Sequence, residues 1–479
     1  MDTRALERLD SFPYRHTVAE VMSAPPVTAG PRTNLAEASR LMHARSVSSV
    51  IVVDEAGAAL GIVTEKDVVD AIAEAGAAAL CDPLSKRMSR PLASVPGDRH
   101  VYVALGRMER LGVQHLGVID GVGRLAGVVT ARALLHQRAG PALALGDAVE
   151  AAQSTDELAA AHRSVPNMAR ALLREGVNAR GVAAVISGVV RDISGRAAAL
   201  AERALLEAGE GPPPAPYAFL VLGSAGRGES LLAADQDNAI VHAGDQGLDD
   251  WFAALGARAA EILDVAGIPY CKGGVMASKR GWRGGLEEWR GRIGTWTQDP
   301  RPEALLSVDI FYDFQPAAGD ARLAEELRVT ALTAAREPGF LPVLARAHEE
   351  IGSARGFFGG FRTQDGRLDL KRGGLLPVTA GARVLALMHG VAETSTPGRL
   401  RRVAEAGGIV TADAEKLIAA HGLMLELVLE QQLVDITAGG APTSKIEVKR
   451  LTPSIRARLK EAIGAVDLVG EIVETALRA

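Results

Sequence analysis

Cysteine, aromatic residues and net charge are all scarce in this chain of 479 residues. The two cysteines, Cys81 and Cys271, are far apart and are not spaced as metal ligands, so we predict free thiols in a reducing compartment. The formal charge of −5 argues against a surface built around nucleic-acid phosphates and does not favour nucleic acid as a partner. Few aromatic residues alongside abundant alanine and glycine indicate helix-rich packing.

Long apolar runs and the commonest nucleotide-binding loops are also absent. No apolar run approaches the roughly 20 residues that span a bilayer, and residues 1–10 are charged and lack the apolar stretch of a signal peptide. We therefore predict a cytoplasmic protein without a membrane partner. No glycine loop ends in Gly-Lys-Ser/Thr, which excludes a Walker motif, and G-S-A-G-R-G does not match the Rossmann order.

An internal repeat marks the first part of the chain. Corresponding residues recur 66 positions apart, as in these four pairs: Met22 and Met88, Ser23 and Ser89, Gly61 and Gly127, and Thr64 and Thr130. Each copy has the pattern of a helix, two short apolar strands joined by an acidic turn with glycine, and a closing helix. A repeat of this length predicts a duplicated structural unit.

The repeated unit resembles a CBS domain, and the pair covers about residues 17–138. The letters G-I-V-T-E-K-D, which end at Asp67, match that family's signature of glycine, Thr/Ser and Asp/Asn. The resemblance implies that Thr64 and Asp67 bind the ribose and phosphate of an adenine nucleotide. An aspartate one turn after a hydroxyl residue can accept hydrogen bonds from both ribose hydroxyls. The alternative is that these two residues only begin a helix.

The second repeat departs from this signature. Thr130 is present, but Ala133 replaces the acid, so one of the two clefts lacks its ribose acceptor. We therefore expect at most one good adenine-nucleotide site, with Thr64, Asp67 and Thr130 as the candidate regulatory residues. CBS pairs commonly associate, so the resemblance also implies a homodimer.

Segment 218–241 carries the strongest chemical signal. An apolar run ends at Gly223-Ser224, and a second apolar run follows Asp235 and Asp237. A tight glycine turn at a helix start offers backbone N–H groups and a hydroxyl to a phosphate. On a strand the two aspartates would leave the same face, and such a pair can hold Mg²⁺ or Mn²⁺ together with substrate phosphates. The simpler alternative is a glycine-rich turn with two solvated aspartates.

This pattern resembles the DNA polymerase beta-like nucleotidyltransferase superfamily. More closely, G-S-A-G-R-G-E followed by D-Q-D-N is similar to the nucleotidyltransferases of bacterial signal proteins with CBS domains. Those proteins are similar to the uridylyltransferase of PII proteins and to the glutamine synthetase adenylyltransferase. The resemblance implies a third carboxylate on a neighbouring strand, and Val308-Asp309-Ile310 offers it. Asp235, Asp237 and Asp309 are therefore the predicted catalytic metal triad.

Phosphate-binding residues are expected around the same motif. The candidates are Gly223, Ser224, Gly226, Arg227 and Lys272. Backbone N–H groups of the turn and the arginine would offset charge on a triphosphate. Cys271-Lys272-Gly273-Gly274 also resembles the family, although a surface lysine in a glycine loop is an equally plain interpretation. Ala225 stands where many members carry glutamate, so any role of that glutamate is absent here.

The whole chain is predicted to be a multidomain α/β protein, since single cores stop growing near roughly 250–300 residues. The expected parts are an N-terminal extension at 1–16, a tandem CBS module of α+β type at 17–138, a nucleotidyltransferase α/β lobe with leading helices and a mixed sheet at 141–330, and an all-α domain at 335–479. The resemblance implies that the last domain helps to bind the acceptor.

The predicted function is transfer of a nucleotidyl group from an NTP to an acceptor, which can be a protein, with Mg²⁺ or Mn²⁺ as cofactor. The setting is signal transduction, and an adenine nucleotide at the CBS pair would regulate the reaction. The competing prediction is a regulatory protein whose lobe binds nucleotide without catalysis. RNA tailing is disfavoured by the acidic balance. The preferred base, the acceptor and the sign of regulation are left open.

Overall fold

The computed structural model describes residues 16–300, 308–349 and 360–478. It divides into two compact units, Met1–Leu143 and Ala144–Ala479. Except for its last residue, the predicted N-terminal extension lies outside the described residues. The predicted multidomain α/β class is confirmed, because the first unit contains two small α+β repeats and the second contains a mixed sheet followed by helices.

The first unit contains two copies of one small fold. Its helices are α1 (Val18–Val21), α2 (Leu35–Arg45), α3 (Glu65–Ala75), α4 (Leu84–Arg87), α5 (Val101–Leu111) and α6 (Ala131–Ala151), the last running on past residue 143. Its strands are β1 (Thr28–Ala29), β2 (Ser49–Val53), β3 (Ala59–Thr64), β4 (Ser94–Pro96), β5 (His115–Ile119) and β6 (Leu125–Thr130). In each copy a short parallel pair continues into an antiparallel hairpin, giving the orders β1-β2-β3 and β4-β5-β6.

Several of the residues that recur 66 positions apart lie where the two repeats contact each other. Ser89 leads into the second repeat and pairs with the first hairpin, whereas Ser23 leads into the first repeat and pairs with the second hairpin. A Cβ atom on Gly61 would lie 2.6 Å from the Ser89 carbonyl oxygen, and one on Gly127 would lie 2.8 Å from that of Ser23. Each repeat is therefore closed by the lead segment of the other.

The second unit begins with two long helices and continues as a mixed sheet. Its first helices are α7 (Thr155–Arg174), α8 (Ala179–Glu207), α9 (Gly223–Arg227), α10 (Asp249–Val265), α11 (Leu286–Gln298) and α12 (Ala321–Ala334). Its strands are β7 (Tyr217–Val221), β8 (Asn238–His242), β9 (Arg283–Gly285) and β10 (Gln315–Gly319). The sheet order is β10-β7-β8-β9, in which only the β8–β9 pairing is parallel.

The two apolar runs on either side of the glycine turn form strands that are buried at the centre of the sheet. Every residue of β7 and β8 is buried, because α8, α10, α11 and α12 pack against the sheet. Three tryptophans near the sheet pack against one another. Trp282, Trp289 and Trp296 have ring centroids 6.3–6.4 Å apart, and two of them lie 5.3 Å from the ring of Phe311.

The C-terminal part is mostly helical, as predicted, with one short ribbon in addition. Its helices are α13 (Phe340–Glu349), α14 (Leu376–Met388), α15 (Thr396–Glu405), α16 (Thr411–Thr437) and α17 (Pro453–Arg478), and β11 (Arg367–Asp369) pairs antiparallel with β12 (Lys445–Glu447). Among the described helices, α16 alone is long and apolar enough to cross a membrane by length and composition. Because 67% of its apolar window is buried inside the fold, it has the character of a core helix.

Candidate active site

The glycine turn after β7 brings the backbone close to the acid pair. Gly223 has a φ of +57°, and a Cβ atom there would lie 2.6 Å from Oδ2 of Asp237. On the other side of the turn, a Cβ atom on Gly226 would lie 1.8 Å from the carbonyl oxygen of Asp313. Both glycines are therefore required by close packing, in addition to any contact that they make with a ligand.

Asp235 and Asp237 lie in the segment that leads directly into β8. Between them, Gln236 is buried, and its side-chain NH₂ group donates to the carbonyl oxygens of Ala260 and Ile268 at 2.9 and 3.0 Å. Alternate residues of an extended segment point to opposite sides. The two carboxylates therefore leave the same side of the chain, as the one-residue spacing predicts.

Cys271 is the third side chain at the acid pair. The loop that carries it is held beside β8 because Asn238 Oδ1 accepts a hydrogen bond from the Ala277 N–H group at 2.8 Å. One oxygen each from Asp235 and Asp237 and the Sγ atom of Cys271 lie within 4.8 Å of one another. The cysteine was not foreseen as part of the site, since it follows the second aspartate by a long helix.

Little positive charge compensates the pair. Burial, followed by the charge of Asp235, raises the pKa of Asp237 to about 6. A hydrogen bond with Cys271 and, after it, the charges of Lys371 and Arg227 oppose this shift. No described lysine or arginine forms a salt bridge with either aspartate. Burial and the neighbouring carboxylate also raise the pKa of the Cys271 thiol to about 11. A cation bound between the two carboxylates would relieve their repulsion.

The donor atoms fit Mg²⁺ or Mn²⁺ through the two carboxylates. Such hard cations prefer oxygen ligands and commonly keep coordination positions for water and for substrate phosphates, which two carboxylates leave open. A thiol is a soft donor and is neutral at the raised pKa, so it is a poor ligand for these ions. Asp235 and Asp237 are the residues that would hold the cation, with Cys271 beside them.

The prediction of a strand around Asp309 is wrong. Residues 308–311 are helical, and Asp309 is 9% exposed and accepts a hydrogen bond from Arg383 of α14. An apolar–Asp–apolar triplet suits a buried helical turn as well as a strand, provided that a partner compensates the charge. Within the described part of the chain, its carboxylate does not join the 4.8 Å cluster around Asp237. Its role as a third metal ligand stays a prediction.

Asp313 is the centre of a buried ion network. Its carboxylate is fully buried and accepts hydrogen bonds from Arg227 (2.5 Å), Arg383 (2.5 and 3.1 Å) and Arg399 (2.7 Å). Burial alone would raise the pKa of Asp313, but the three arginines together hold it well below its usual range. The guanidinium of Arg227, a predicted phosphate ligand, is hydrogen-bonded to Asp313 and Glu229, and its role toward phosphate stays a prediction.

A cavity of about 460 Å³ opens beside the acid pair, with Asp235 in its wall. Its apolar lining includes Leu231, Leu375, Leu376, Leu425 and Val428, and its polar lining includes Ser224, Arg227, Glu229, His421, Gln432, Lys371 and Lys445. Of the predicted phosphate ligands, Ser224 and Arg227 line this cavity, whereas Lys272 is exposed in the turn after Cys271 and is not among the lining residues.

Two lysines of the cavity lining were missed by sequence reasoning. Lys371 follows β11 and Lys445 begins β12, and both side chains are exposed. They reach the site through the β11–β12 ribbon, a pairing of segments far apart in the chain. The only available signal was the D-L-K triplet ending at Lys371, which by itself assigns no chemistry.

Glu229 and His421 form a buried polar pair in the same cavity. Glu229 accepts hydrogen bonds from Nε of Arg227 (2.8 Å) and the N–H group of Thr396 (2.6 Å), and His421 Nε2 lies 3.7 Å from Glu229 Oε2. Burial lowers the pKa of His421 against the pull of Glu229, so the ring is neutral near pH 7. Its Nδ1 atom has no hydrogen-bond partner in the described part of the chain.

Family comparisons cover both units of the chain. Residues 18–74 and 84–140 match the CBS domain, residues 163–303 match a family described as "Putative nucleotidyltransferase DUF294", and residues 338–477 match "Putative nucleotidyltransferase substrate binding domain". The chain belongs to the CBS-linked nucleotidyltransferase family. The family predicted from the two sequence motifs is therefore confirmed.

Individual relatives match about a quarter of this nucleotidyltransferase-family chain. An uncharacterized 17.7 kDa protein of Acidianus ambivalens is 31% identical over 24% of this chain and 70% of its own length. An uncharacterized protein of Methanopyrus kandleri is 31% identical over 25% of this chain and 61% of its own length. A solved CBS-domain protein from Pyrobaculum aerophilum, complexed with AMP, is 22% identical and covers 26% of this chain and 99% of its own, with a TM-score of 0.24.

In this family member, the candidate CBS residues begin two helices. Asp67 Oδ2 accepts hydrogen bonds from the N–H group and the hydroxyl of Thr64, each at 2.7 Å, at the start of α3. Thr130 Oγ1 accepts a hydrogen bond from the Ala133 N–H group at 3.0 Å, at the start of α6. Thr64 and Asp67 are both partly exposed, so their capping role leaves them accessible to a ligand.

Proposed function

We propose that the protein transfers a nucleotidyl group from an NTP to an acceptor, which can be a protein, with Mg²⁺ or Mn²⁺ held by Asp235 and Asp237. The observation that carries the proposal is a pair of partly buried carboxylates with no described salt-bridge partner, beside a cavity of about 460 Å³. The family match at 163–303 supports the same reaction class.

In the proposed reaction, a hydroxyl oxygen of the acceptor forms a bond to the α-phosphorus of the NTP. The bond from that phosphorus to the oxygen of the β-phosphate breaks, pyrophosphate leaves with this oxygen, and the hydroxyl proton passes to solvent. A cation held by the acid pair would supply positive charge to the phosphate oxygens. Ser224, in the cavity wall, would help to hold the phosphates beside Asp235.

We propose that an adenine nucleotide binds the CBS pair and regulates this activity. Thr64 and Asp67 are the residues that would hold its ribose and phosphate, with Thr130 as the weaker counterpart in the second repeat. The signature match and the partial exposure of both residues support this assignment. The homodimer and the cytoplasmic location remain predictions.

The test is incubation of the full chain with α-labelled NTPs, Mg²⁺ and fractionated candidate acceptors, with pyrophosphate release measured in parallel. We expect label transfer and pyrophosphate release from the wild type, and loss of both in Asp235→Asn and Asp237→Asn. The matched control is Asp250→Asn, an exposed acid in the first turn of α10. Equal release by Asp237→Asn and the wild type would rule out the proposed role of the pair.

A regulatory protein that binds nucleotide without transferring it is the second candidate. The position of Asp309 favours it, because its carboxylate is bonded to Arg383, leaving two acidic ligands where the superfamily resemblance implies three. NTP binding that depends on Asp237, without label transfer to any acceptor and without pyrophosphate release, would support this candidate over the transferase.

A further inference from the structure

The cavity beside the acid pair has the composition of a small-molecule site. Leucine and valine side chains from α14, α16 and the preceding segments form an apolar patch in its wall, and charged or hydrogen-bonding residues make up most of the remaining lining. Its volume of about 460 Å³ lies within the roughly 300–1,000 Å³ that ligand pockets usually enclose. The apolar patch suits the faces of a flat heterocycle, and the polar residues around it can bind the edge of that heterocycle and attached phosphates.

One buried polar group in this cavity lacks a partner. His421 is 1% exposed and lines the cavity, and its Nδ1 atom makes no hydrogen bond to any residue that the structure describes. The Glu229 carboxylate, 3.7 Å from Nε2, favours the tautomer with hydrogen on Nε2, so Nδ1 is an acceptor. An unmade bond at a buried acceptor costs free energy, and a ligand with an N–H donor would supply the bond.

The remaining lining residues make one side of the cavity chemically different from the other. Lys371 and Lys445 lie in its wall and are exposed, and neither has an ion-pair partner among the described residues. Asp235 also lies in the wall, and the charge of Lys371 acts on Asp237. The cavity therefore combines a buried polar and apolar region with an exposed cationic edge next to the acid pair.

We infer that this cavity is the base-binding subsite of the nucleotidyltransferase, and that its occupant is the base and sugar of a nucleoside triphosphate. Nδ1 of His421 accepts a hydrogen bond from an N–H group on the base edge. Lys371 and Lys445 contact the phosphates, which extend toward Asp235 and Asp237. The inference rests on the proposed function for the identity of the ligand, and it assigns C-terminal residues to nucleotide recognition rather than to the acceptor alone.

The test is photo-crosslinking of the full chain with NTPs that carry an azido group on the base: 8-azido-ATP, 8-azido-GTP and 5-azido-UTP. Labelled peptides are then mapped by mass spectrometry. We expect label in segments 371–379, 421–432 or 442–445, and loss of that label when the unmodified NTP is added in excess. Peptide mapping separates this label from any adenine nucleotide bound to the CBS pair.

Two variants test the subsite and one serves as the control. Leu375→Trp fills the cavity from a partly exposed position and is expected to lower the label in these segments at least about tenfold. Lys445→Met, at an exposed position, removes a charge-assisted contact and is expected to lower it about tenfold. Lys449→Met removes an exposed lysine outside the lining and is expected to leave the label unchanged. If the tryptophan variant does not fold, the Lys445 variant decides.

His421→Phe separates the hydrogen bond from packing, because a loss of packing alone would not change the relative labelling by the three probes. Removal of the Nδ1 acceptor is expected to change the ratio of labelling among the three probes, because their bases offer different N–H groups to the cavity. Label confined to residues 16–140, or equal label in the wild type and Leu375→Trp, would overturn the inference.

The two proposals fail separately. If the wild type releases pyrophosphate and the cavity variants label and turn over like the wild type, the base-binding assignment is wrong and the transferase proposal stands. If the cavity variants lose label but no variant or wild type releases pyrophosphate, the cavity is a nucleotide site and the transferase proposal is wrong.

Discussion

Two groups of carboxylates in the second unit differ in how their charge is compensated. Asp313 is fully buried and receives hydrogen bonds from three arginines, which hold its pKa well below the usual range. Asp237 is partly buried beside Asp235, has no described salt bridge, and has a pKa raised to about 6. The first group is complete without a ligand, whereas the second lacks positive charge.

The comparison indicates where function lies. A buried charge that is already paired stabilises the fold and has no free coordination position. A crowded acid pair destabilises the fold unless a cation binds, which is the usual condition of a binding or catalytic site. Arg227, which the sequence assigned to phosphate binding, donates a hydrogen bond to Asp313 of the first group and also lines the cavity beside the second. Lys371 and Lys445, which the sequence did not indicate, line the same cavity.

The largest expected effect is a loss of stability when the carboxylate of Asp313 is removed. Asp313→Asn leaves Arg227, Arg383 and Arg399 without their common carboxylate, and we expect the free energy of unfolding to fall by about 3–5 kcal/mol. Urea unfolding followed by circular dichroism measures it. The matched control is Asp320→Asn, at the partly exposed N-cap of α12, which should change stability little because asparagine caps a helix as well as aspartate. A loss no larger than that of the control would show that the network does not stabilise the fold.

The opposite behaviour is expected for the acid pair. Asp237→Asn should lower pyrophosphate release by at least about 100-fold, since the cation supplies several kcal/mol of charge stabilisation. The same change should leave the free energy of unfolding equal or higher, because it removes a charge that burial and Asp235 disfavour. If Asp237→Asn instead destabilised the fold as strongly as Asp313→Asn, the distinction between the two groups would be lost.

The pH dependence of stability sharpens the comparison at His421, which adjoins both groups. Burial lowers its pKa, with Arg227 and Arg180 also opposing protonation and Glu229 favouring it. Below about pH 6.5 the unfolded chain therefore takes up a proton that folded His421 does not, and stability is lost as the pH falls. We expect His421→Gln to remove about 1 kcal/mol of the loss between about pH 7 and pH 5.

Urea unfolding at a series of pH values measures this slope, with His389→Gln at the exposed end of α14 as the control. His115, His162 and His242 also have lowered pKa values because of burial, so a residual slope is expected. A slope unaltered by His421→Gln would show that the folded ring is protonated, in an ion pair with Glu229.

The smallest effect is expected at Cys271. Its thiol is near the acid pair but is a soft, neutral donor, so Cys271→Ser should change pyrophosphate release at saturating Mg²⁺ by less than about threefold. A loss as large as that of Asp237→Asn would identify the thiol as a metal ligand.

Local patterns were the part of the fold that the sequence could predict. The CBS repeats follow from an offset of 66 residues, and the turn at Gly223 with the two aspartates follows from spacing within one segment. In both cases neighbouring residues determine the structure: the Gln236 side chain is bound in the core, and the two flanking carboxylates approach each other.

Long-range contacts were the part that could not be predicted. The apolar triplet around Asp309 reads as a strand until Arg383, which lies 74 residues later, is known to compensate its charge. Lys371 and Lys445 reach the cavity only because β11 pairs with β12. Periodicity and spacing carry no information about such pairings, and so the cavity beside the acid pair was not foreseen.

The most direct test of the acid pair is a Mn²⁺ titration of the full chain followed by electron paramagnetic resonance. We predict one bound ion per chain in the presence of NTP that is lost in both Asp235→Asn and Asp237→Asn and retained in Asp250→Asn. Unchanged Mn²⁺ binding in the two site variants would contradict the account, because the uncompensated carboxylates would then not be the metal site.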